Sequence, residues 1–294
     1  MRYDDTLPTE ADTCAEKVIQ NLIFSIQYIL EYAHENNINP IGIGIGIPGI
    51  VDKSHRIVVV ANNIIGWSNI LLADKIEKLF FLPVCINNDA NLMGLGEQTF
   101  GAAKNYSDVL FLTIATGIGG SIIINDKLFS GYDNRGSELG HIPLFADGIE
   151  CSCGSIGCLE AYASTTALIQ QFKKRCPNFE SDLSEEINGR LIVKLYHENN
   201  QCAIESLNEH CRFLAQGIAG LVNVFSPQRV VLGGGISESG VFYIEKIKAE
   251  FKRFVIPACE VHTEIIPAKL GNKAGILGAA QFVFFSVKSS DTMN

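Results

Sequence analysis

One imidazole and three thiols lie close together between residues 140 and 160. His141 is followed after nine residues by Cys151, and Cys153 and Cys158 come next. Zinc in proteins takes four nitrogen or sulfur ligands in a tetrahedral arrangement, and these side chains supply such a set. The spacing therefore predicts a zinc site whose four ligands fix the path of this segment.

A disulfide framework is the alternative explanation for clustered cysteines in a secreted protein. The N-terminus is polar and acidic, without the basic and then apolar run that directs secretion. The nine cysteines are an odd number, so at least one would stay unpaired. We therefore expect zinc at the cluster in a reduced, cytoplasmic chain. The remaining cysteines are expected to be ordinary core or surface thiols: Cys14, Cys85, Cys176, Cys202, Cys211 and Cys259.

Length and composition indicate a compact protein with one large domain or two. The chain has 294 residues, of which 47% are hydrophobic and 19% charged. Its apolar runs are short and broken by polar residues, so no membrane span is expected. The net charge of −9 argues against direct binding of nucleic acid, which needs a basic surface.

Apolar periodicity predicts strands that alternate with helices. Strands are predicted at 41–47, 84–86, 109–114, 121–124, 229–232 and 264–266. Helices are predicted near 11–36, 71–80, 90–100, 162–173, 189–198, 203–225, 239–254 and 273–287. This alternation, with polar residues and glycines after the strands, indicates an α/β fold that binds ligands at the carboxyl ends of its strands.

Asp89 follows a predicted strand and two asparagines, and it precedes a predicted helix. A carboxylate at a strand end can act as the general base that takes a proton from a hydroxyl group, as kinases require. An aspartate before a helix can also cap the free backbone N–H groups of the first turn. The two roles are compatible, and the spacing alone favours the cap.

Two glycine clusters follow predicted strands. One comprises Thr116, Gly117, Gly119 and Gly120, and the other comprises Gly233, Gly234 and Gly235. Glycine lets backbone N–H groups approach a phosphate closely, but plain turns would explain both clusters as well. Neither cluster has the Gly-Lys-Ser/Thr of a Walker A loop or the spacing of a Rossmann fingerprint.

Two carboxylates accompany the predicted zinc site. Glu138 lies three residues before His141, and Glu160 lies two residues after Cys158. Carboxylates and an imidazole suit the hydroxyl groups of a sugar, and metal coordination through one ring nitrogen would fix the tautomer and orientation of His141. A wholly structural zinc site with surface glutamates is the alternative.

Together these motifs resemble the ROK family of repressors, open reading frames and sugar kinases, from about Ile41 to Ala280. The most specific part is Cys151-x-Cys153-Gly154-x-x-Gly157-Cys158-x-Glu160, preceded by Glu138-x-Gly140-His141. The segment from Leu112 to His141 is also similar to the signature of the family. Within the family, the chain is most similar to glucokinases and N-acetylmannosamine kinases.

The resemblance implies an actin-like, ribonuclease H-like, two-domain ATPase fold with a central cleft. Residues 1–105 and a C-terminal helix at about 273–294 would form the first lobe. Residues 106–272 would form the second, with the zinc motif and the nucleotide-binding segments. Family kinases begin with a strand–turn–strand that carries an Asp-x-Gly-Gly-Thr phosphate loop. Nothing in residues 1–40 matches it, so the first lobe is expected to lack these strands.

The resemblance also implies roles for individual residues. Asp89 would be the catalytic base, and zinc would be structural because its four protein ligands leave no open position. The sugar ligands would be Pro48, Gly49, Asn88, Asp89, Glu138, His141 and Glu160. The nucleotide ligands, with Mg²⁺ bound to ATP, would be Thr116, Gly117, Gly119, Gly233 and Gly234.

The expected function is an ATP-dependent hexose kinase that acts on the 6-hydroxyl of glucose or a related hexose, in a homodimer or homotetramer. N-acetylmannosamine, N-acetylglucosamine and fructose stay open as substrates, because one contact separates these sugars. A non-catalytic sugar sensor is the alternative within the family, motivated by the missing phosphate loop. A zinc-binding interaction module explains the cysteines but not Asn88, Asp89 or the glutamates.

Overall fold

The computed structural model describes residues 3–61, 63–179 and 186–291. Its strands are β1 (Ile43–Ile47), β2 (Ile50–Val51), β3 (Val58–Val60), β4 (Ser68–Ile70), β5 (Val84–Asn88), β6 (Val109–Ile114), β7 (Ile118–Ile124), β8 (Lys127–Phe129), β9 (Arg229–Gly233) and β10 (Glu264–Pro267). Its helices are α1 (Ala15–Glu35), α2 (Leu72–Phe80), α3 (Asp89–Phe100), α4 (Leu159–Ala163), α5 (Thr165–Arg175), α6 (Gly189–His197), α7 (Gln201–Phe225), α8 (Val241–Phe251), α9 (Pro257–Glu260) and α10 (Lys273–Asp291). Short 3₁₀ turns lie at Tyr132–Asn134, Leu139–His141 and Ser237–Ser239.

The chain divides into two compact units. The first comprises Met1–Thr99, Ser130–Gly136 and Asn272–Asn294, and the second comprises Phe100–Phe129 and Ser137–Gly271. The sequence predicts domain limits at 105/106 and 272/273. These limits stay predictions. The C-terminal helix expected at 273–294 is α10, and residues 292–294 lie outside the described part of the chain.

Strand β1 explains the alternation of isoleucine and glycine in the first unit. It pairs in parallel with β5, and Ile45 and Ile47 are buried in a core shared with α1 and α2. A Cβ on Gly44 would lie 2.1 Å from the carbonyl oxygen of Ala279, so glycine is required for α10 to pack directly on the strand. A second, antiparallel sheet has the order β2-β3-β4. Between residue 3 and β1 the described chain forms α1 and no strand, as the sequence predicts.

The second unit is built on a mixed sheet with the order β10-β9-β6-β7-β8. Strands β10, β9 and β6 are parallel, whereas β7 and β8 are antiparallel to their neighbours. Thr113 of β6 is paired with Gly233 of β9, so the carboxyl ends of these two strands lie side by side. The long helix α7 is buried in the core of this unit. Both glycine clusters therefore begin at the same end of the sheet, where β6 and β9 have their carboxyl ends.

Two sequence predictions are corrected in the second unit. The helix expected at 162–173 is interrupted at Ser164, whose hydroxyl caps α5 by accepting the Ala167 amide at 3.1 Å. Cys176 and Cys202, predicted to be ordinary thiols, form a disulfide with Cα atoms 6.1 Å apart. Packing of α5 against α7 brings these two cysteines together, and their separation in the sequence does not reveal it.

Within the described residues, no helix combines the length and the apolar character that crossing a bilayer requires.

Candidate functional site

Asn88 and Asp89 lie where β5 passes into α3. The Asn88 side chain accepts the Asn91 amide at 3.1 Å through Oδ1 and donates to the Gly49 carbonyl at 3.1 Å through Nδ2. Asn88 therefore caps α3, although the spacing favours Asp89 for this role. Asp89 is the first residue of the helix, and its Oδ1 accepts the adjacent Ala90 amide at 2.8 Å.

The environment of Asp89 suits a base. Partial burial raises the pKa of its carboxyl above the ordinary value, while hydrogen bonds from backbone amides act in the opposite direction. Among the described residues, no side chain is hydrogen-bonded to this carboxylate. Asp89 itself stays exposed to solvent. A carboxylate with a raised pKa and no side-chain partner among the described residues is available to take a proton.

The Pro48–Gly49 loop lies against β3. A Cβ on Gly49 would be 2.2 Å from the Val60 carbonyl oxygen, so the close approach requires glycine. The hydrogen bond from Asn88 to the Gly49 carbonyl holds the same loop. The structure thus brings Pro48, Gly49, Asn88 and Asp89 to one end of the β1–β5 pair.

Asn87 is a polar residue to which the sequence analysis assigns no role. It is only 1% exposed, and its Oδ1 accepts the Asn88 amide at 2.8 Å. Its Nδ2 has no hydrogen-bond partner in the described part of the chain. An asparagine inside an apolar strand is the signal that could have drawn attention to it.

A tight turn at residues 115–117 connects β6 to β7 in the second unit. The Ala115 amide donates to the Gly117 carbonyl at 2.9 Å. The amides of Thr116 and Gly117 have no protein acceptor among the described residues, and Thr116 is exposed. Gly119 and Gly120, predicted to lie between the strands, instead belong to β7, because its pairing with β6 begins at Ile118. Two open amides in a turn can hold an anionic oxygen.

Glu160 links this turn to the cysteine segment. Its Oε2 accepts the Ile118 amide at 2.8 Å, and its Oε1 accepts the Ser152 hydroxyl at 3.0 Å. A Cβ on Gly117 would lie 2.3 Å from Oε2, so the turn and the carboxylate fit together only with glycine.

The second glycine cluster follows β9 at the same edge of the sheet. Gly233 ends the strand, and Gly234 has a φ of +91° with its ideal Cβ position 2.1 Å from the Ile114 carbonyl oxygen. The Ser237 hydroxyl donates to the Gly234 carbonyl at 2.7 Å. The structure therefore places Gly234 directly against the end of β6, from which the 115–117 turn begins.

The four predicted zinc ligands converge. The candidate ligand atoms of His141, Cys151, Cys153 and Cys158 all lie within 4.8 Å of one another. His141 Nδ1 is 3.6 Å from Cys151 Sγ, and Cys153 Sγ is 3.8 Å from Cys158 Sγ. Tetrahedral zinc requires edges of roughly 3.6 Å between nitrogen and sulfur and roughly 3.8 Å between sulfurs. The donor set and these two distances fit zinc.

Backbone hydrogen bonds hold the cluster segment. The Leu144 amide donates to the Gly157 carbonyl at 2.7 Å, and the Leu159 amide donates to the Ile142 carbonyl at 2.9 Å. With Nδ1 facing the cysteines, His141 leaves its Nε2 for another partner. Glu138 is exposed, and its carbonyl accepts the His141 amide at 3.0 Å.

The chain is similar to known proteins over most of its length. The ROK family profile matches residues 2–284. The chain is 36% identical to a glucokinase of Streptomyces coelicolor over 252 residues, 82% of this chain and 79% of that protein. It is 33% identical to a xylose repressor of Bacillus spizizenii over 262 residues, 89% of this chain and 66% of the repressor.

A solved structure from the same family has a similar fold. The crystal structure of a ROK family glucokinase from Streptomyces griseus, in complex with glucose and AMPPNP, matches with a TM-score of 0.79 at 34% identity. The match covers 92% of this chain and 88% of that one. The fold is therefore that of the ROK sugar kinases, the actin-like class expected from the sequence. The chain belongs to the ROK family, which confirms the resemblance.

Proposed function

We propose that this chain is an ATP-dependent hexose kinase that transfers the γ-phosphoryl group of MgATP to the 6-hydroxyl of glucose or a related hexose. The observation that carries the proposal is Asp89: its neighbour Asn88 caps α3, and the Asp89 carboxylate binds no side chain among the described residues. The similarity to glucokinases over most of the chain supports it.

In the proposed mechanism, Asp89 accepts the proton of the 6-hydroxyl while the hydroxyl oxygen attacks the γ-phosphorus. The bond between the γ-phosphorus and the bridging oxygen to the β-phosphate breaks, and ADP leaves. Phosphoryl transfer depends mainly on positioning the reactants and on electrostatic stabilisation of the transition state. A single weak base is therefore sufficient as the catalytic group of the protein.

The nucleotide is assigned to the second unit. The open amides of Thr116 and Gly117 are proposed to bind phosphate oxygens, and Mg²⁺ bound with ATP supplies positive charge to the phosphates. Gly233 and Gly234, at the end of β9, are proposed to admit the nucleoside to the edge of the sheet. Gly119 lies in β7, and its assignment to the nucleotide rests on the family resemblance.

Hexose ligands are proposed in each unit. In the first unit they are Asn88, Asp89 and the Pro48–Gly49 loop, where Asn88 and Gly49 are already joined by a hydrogen bond. In the second unit they are Glu138, Glu160 and the Nε2 of His141. Glu160 Oε2 carries a second lone pair beside its bond to the Ile118 amide, so it can accept from a sugar hydroxyl as well.

We propose that His141, Cys151, Cys153 and Cys158 hold a structural zinc ion. When bound, zinc supplies a cross-link and no catalysis, because four protein ligands complete its tetrahedron. The cross-link would orient the His141 ring and hold Glu160 beside the 115–117 turn. We further propose that the chain forms a homodimer or homotetramer in the cytoplasm. The reducing thiols of that compartment would favour reduction of the Cys176–Cys202 disulfide.

A sugar-responsive regulator is the second candidate, because the xylose repressor match covers 89% of this chain. Such a protein would bind a sugar without consuming ATP. The chain spans 66% of the length of that repressor. Turnover separates the two candidates directly.

The test measures ADP production by the purified chain with MgATP and glucose, N-acetylmannosamine, N-acetylglucosamine or fructose. ADP production that depends on one of these sugars is expected. Asp89→Asn should lower kcat roughly a hundredfold to ten-thousandfold, because the base is lost. Hexose binding should be retained, because the asparagine side chain can still hydrogen-bond a sugar hydroxyl at this position. Asp12→Asn, at an exposed position, is the matched control. No sugar-dependent ADP, with sugar binding retained, would favour the regulator.

A further inference from the structure

Helix α5 holds the 115–117 turn through two hydrogen bonds. The Thr166 hydroxyl donates to the Thr116 carbonyl at 2.8 Å, and the Thr165 amide donates to the Ala115 carbonyl at 2.9 Å. Ser164 caps the helix and so fixes where its first turn begins. The carbonyls of Ala115 and Thr116, two of the three in the turn, are therefore held at the N-terminus of α5.

Holding a carbonyl also sets the direction of the amide that shares its peptide group. In a planar trans peptide the C=O and N–H bonds point in opposite directions. The Thr116 carbonyl and the Gly117 amide form one such group. When Thr166 binds this carbonyl, the Gly117 N–H points away from α5. This amide is one of the two that have no acceptor among the described residues.

Gly117 makes this peptide group easy to rotate. A glycine adopts positive and negative values of φ about equally readily, so the peptide group before it can rotate by half a turn at low cost. Hydrogen bonding to Thr166 selects one orientation of this group. Thr166 is exposed, and within the described residues its side chain makes no other hydrogen bond, so its hydroxyl acts on the turn through the Thr116 carbonyl.

We infer that Thr166 is a positioning residue for the nucleotide: its hydroxyl orients the Thr116–Gly117 peptide so that the Gly117 amide faces the phosphates of ATP. This inference rests on the proposed function, because it takes the 115–117 turn as a phosphate loop. It assigns a role to a side chain that lies 50 residues further along the chain than the turn it holds.

The test uses Thr166→Val, which removes the hydroxyl and keeps the shape of the side chain, and Thr166→Ser, which restores the hydroxyl. Gln170→Val, one helical turn further along at an exposed position of α5, controls for a β-branched residue in this helix. Thr166→Val is expected to raise the Kd for Mg²⁺-AMPPNP and the KM for MgATP about threefold to tenfold. The hexose KM should stay unchanged, and Thr166→Ser and Gln170→Val should match the parent chain.

Titration with Mg²⁺-AMPPNP separates this inference from the proposed function. If the parent chain binds the analogue but does not phosphorylate any hexose, the kinase proposal fails and the effect of Thr166 on binding can still be measured. An unchanged Kd in Thr166→Val overturns the inference and leaves the kinase proposal standing. A parent chain that binds no nucleotide overturns both. A parallel rise in the hexose KM would show a general structural role and would also overturn the inference.

Discussion

The Glu160 carboxylate accepts the backbone N–H of Ile118 at 2.8 Å, which joins two motifs 42 residues apart. One motif is the turn with the open amides of Thr116 and Gly117, and the other is the Cys/His cluster. The second oxygen of Glu160 accepts the Ser152 hydroxyl within the cluster segment. A change at the cluster can therefore reach the proposed phosphate loop through a single side chain.

Gly117→Ala tests this close fit. The new Cβ would lie 2.3 Å from Glu160 Oε2, so the carboxylate must move and its bond to the Ile118 amide must break. We expect a loss of about 1–3 kcal/mol in the free energy of unfolding, measured by urea denaturation, because the bond involves a charged acceptor. Weaker binding of MgATP is expected as well.

Gly235→Ala is the control for this substitution. A Cβ at Gly235 meets no atom within 4 Å, and the residue has no positive φ. Its free energy of unfolding should stay within about 0.5 kcal/mol of the parent value. Equal effects of the two substitutions would contradict the proposed fit between Gly117 and Glu160.

The Cys/His cluster predicts a measurable metal content. Purified protein should contain about one zinc ion per chain, measured by elemental analysis. Cys158→Ser should lose the metal and lower the Tm, whereas Cys14→Ser, at an exposed thiol that is not part of the cluster, should do neither. Because the ligands bind as thiolates, protons compete with zinc, and affinity should fall as the pH falls. Metal-free parent protein with the same Tm as zinc-loaded protein would refute a structural zinc site.

The Cys176–Cys202 disulfide predicts a redox-dependent stability. It joins residues 26 apart, a loop for which chain-entropy arguments give a stabilisation of about 3–4 kcal/mol. The double variant Cys176→Ser/Cys202→Ser should unfold at lower urea concentration than the oxidised parent. Reduction should lower the parent to a similar midpoint and leave the variant unchanged, with zinc present throughout. Alkylation of both cysteines in the native, unreduced parent would show that the bond does not form.

The pH dependence of turnover follows from Asp89. A base must be ionised to accept a proton, so kcat should fall as the pH falls through the pKa of the carboxyl. Burial raises this pKa, and the fall should therefore be centred above the ordinary aspartate value of about 3.9. Asp12→Asn should keep the parent profile. An acid limb that persists in the residual activity of Asp89→Asn would assign the titration to another group.

Regular elements with clear periodicity are predicted well from the sequence. Strand β6 has the predicted limits, and α1, α7 and α10 appear within a few residues of theirs. The sequence does not predict the small sheet β2-β3-β4 or the strand β8, because strands of two or three residues carry no measurable alternation. It places Gly119 and Gly120 outside β7 because glycine is typical of turns, although pairing with β6 includes them.

The sequence by itself determined the family, the order of the main elements and which four residues form the Cys/His cluster, because these depend on residue types at short, fixed spacings. Only the tertiary structure decided that Asn88 caps α3, that Cys176 joins Cys202, and that Thr166 holds the 115–117 turn. The last two contacts join residues 26 and 50 positions apart, and the choice of Asn88 over Asp89 depends on where β5 ends. Tertiary packing brings such groups together, and a local sequence pattern does not predict these contacts.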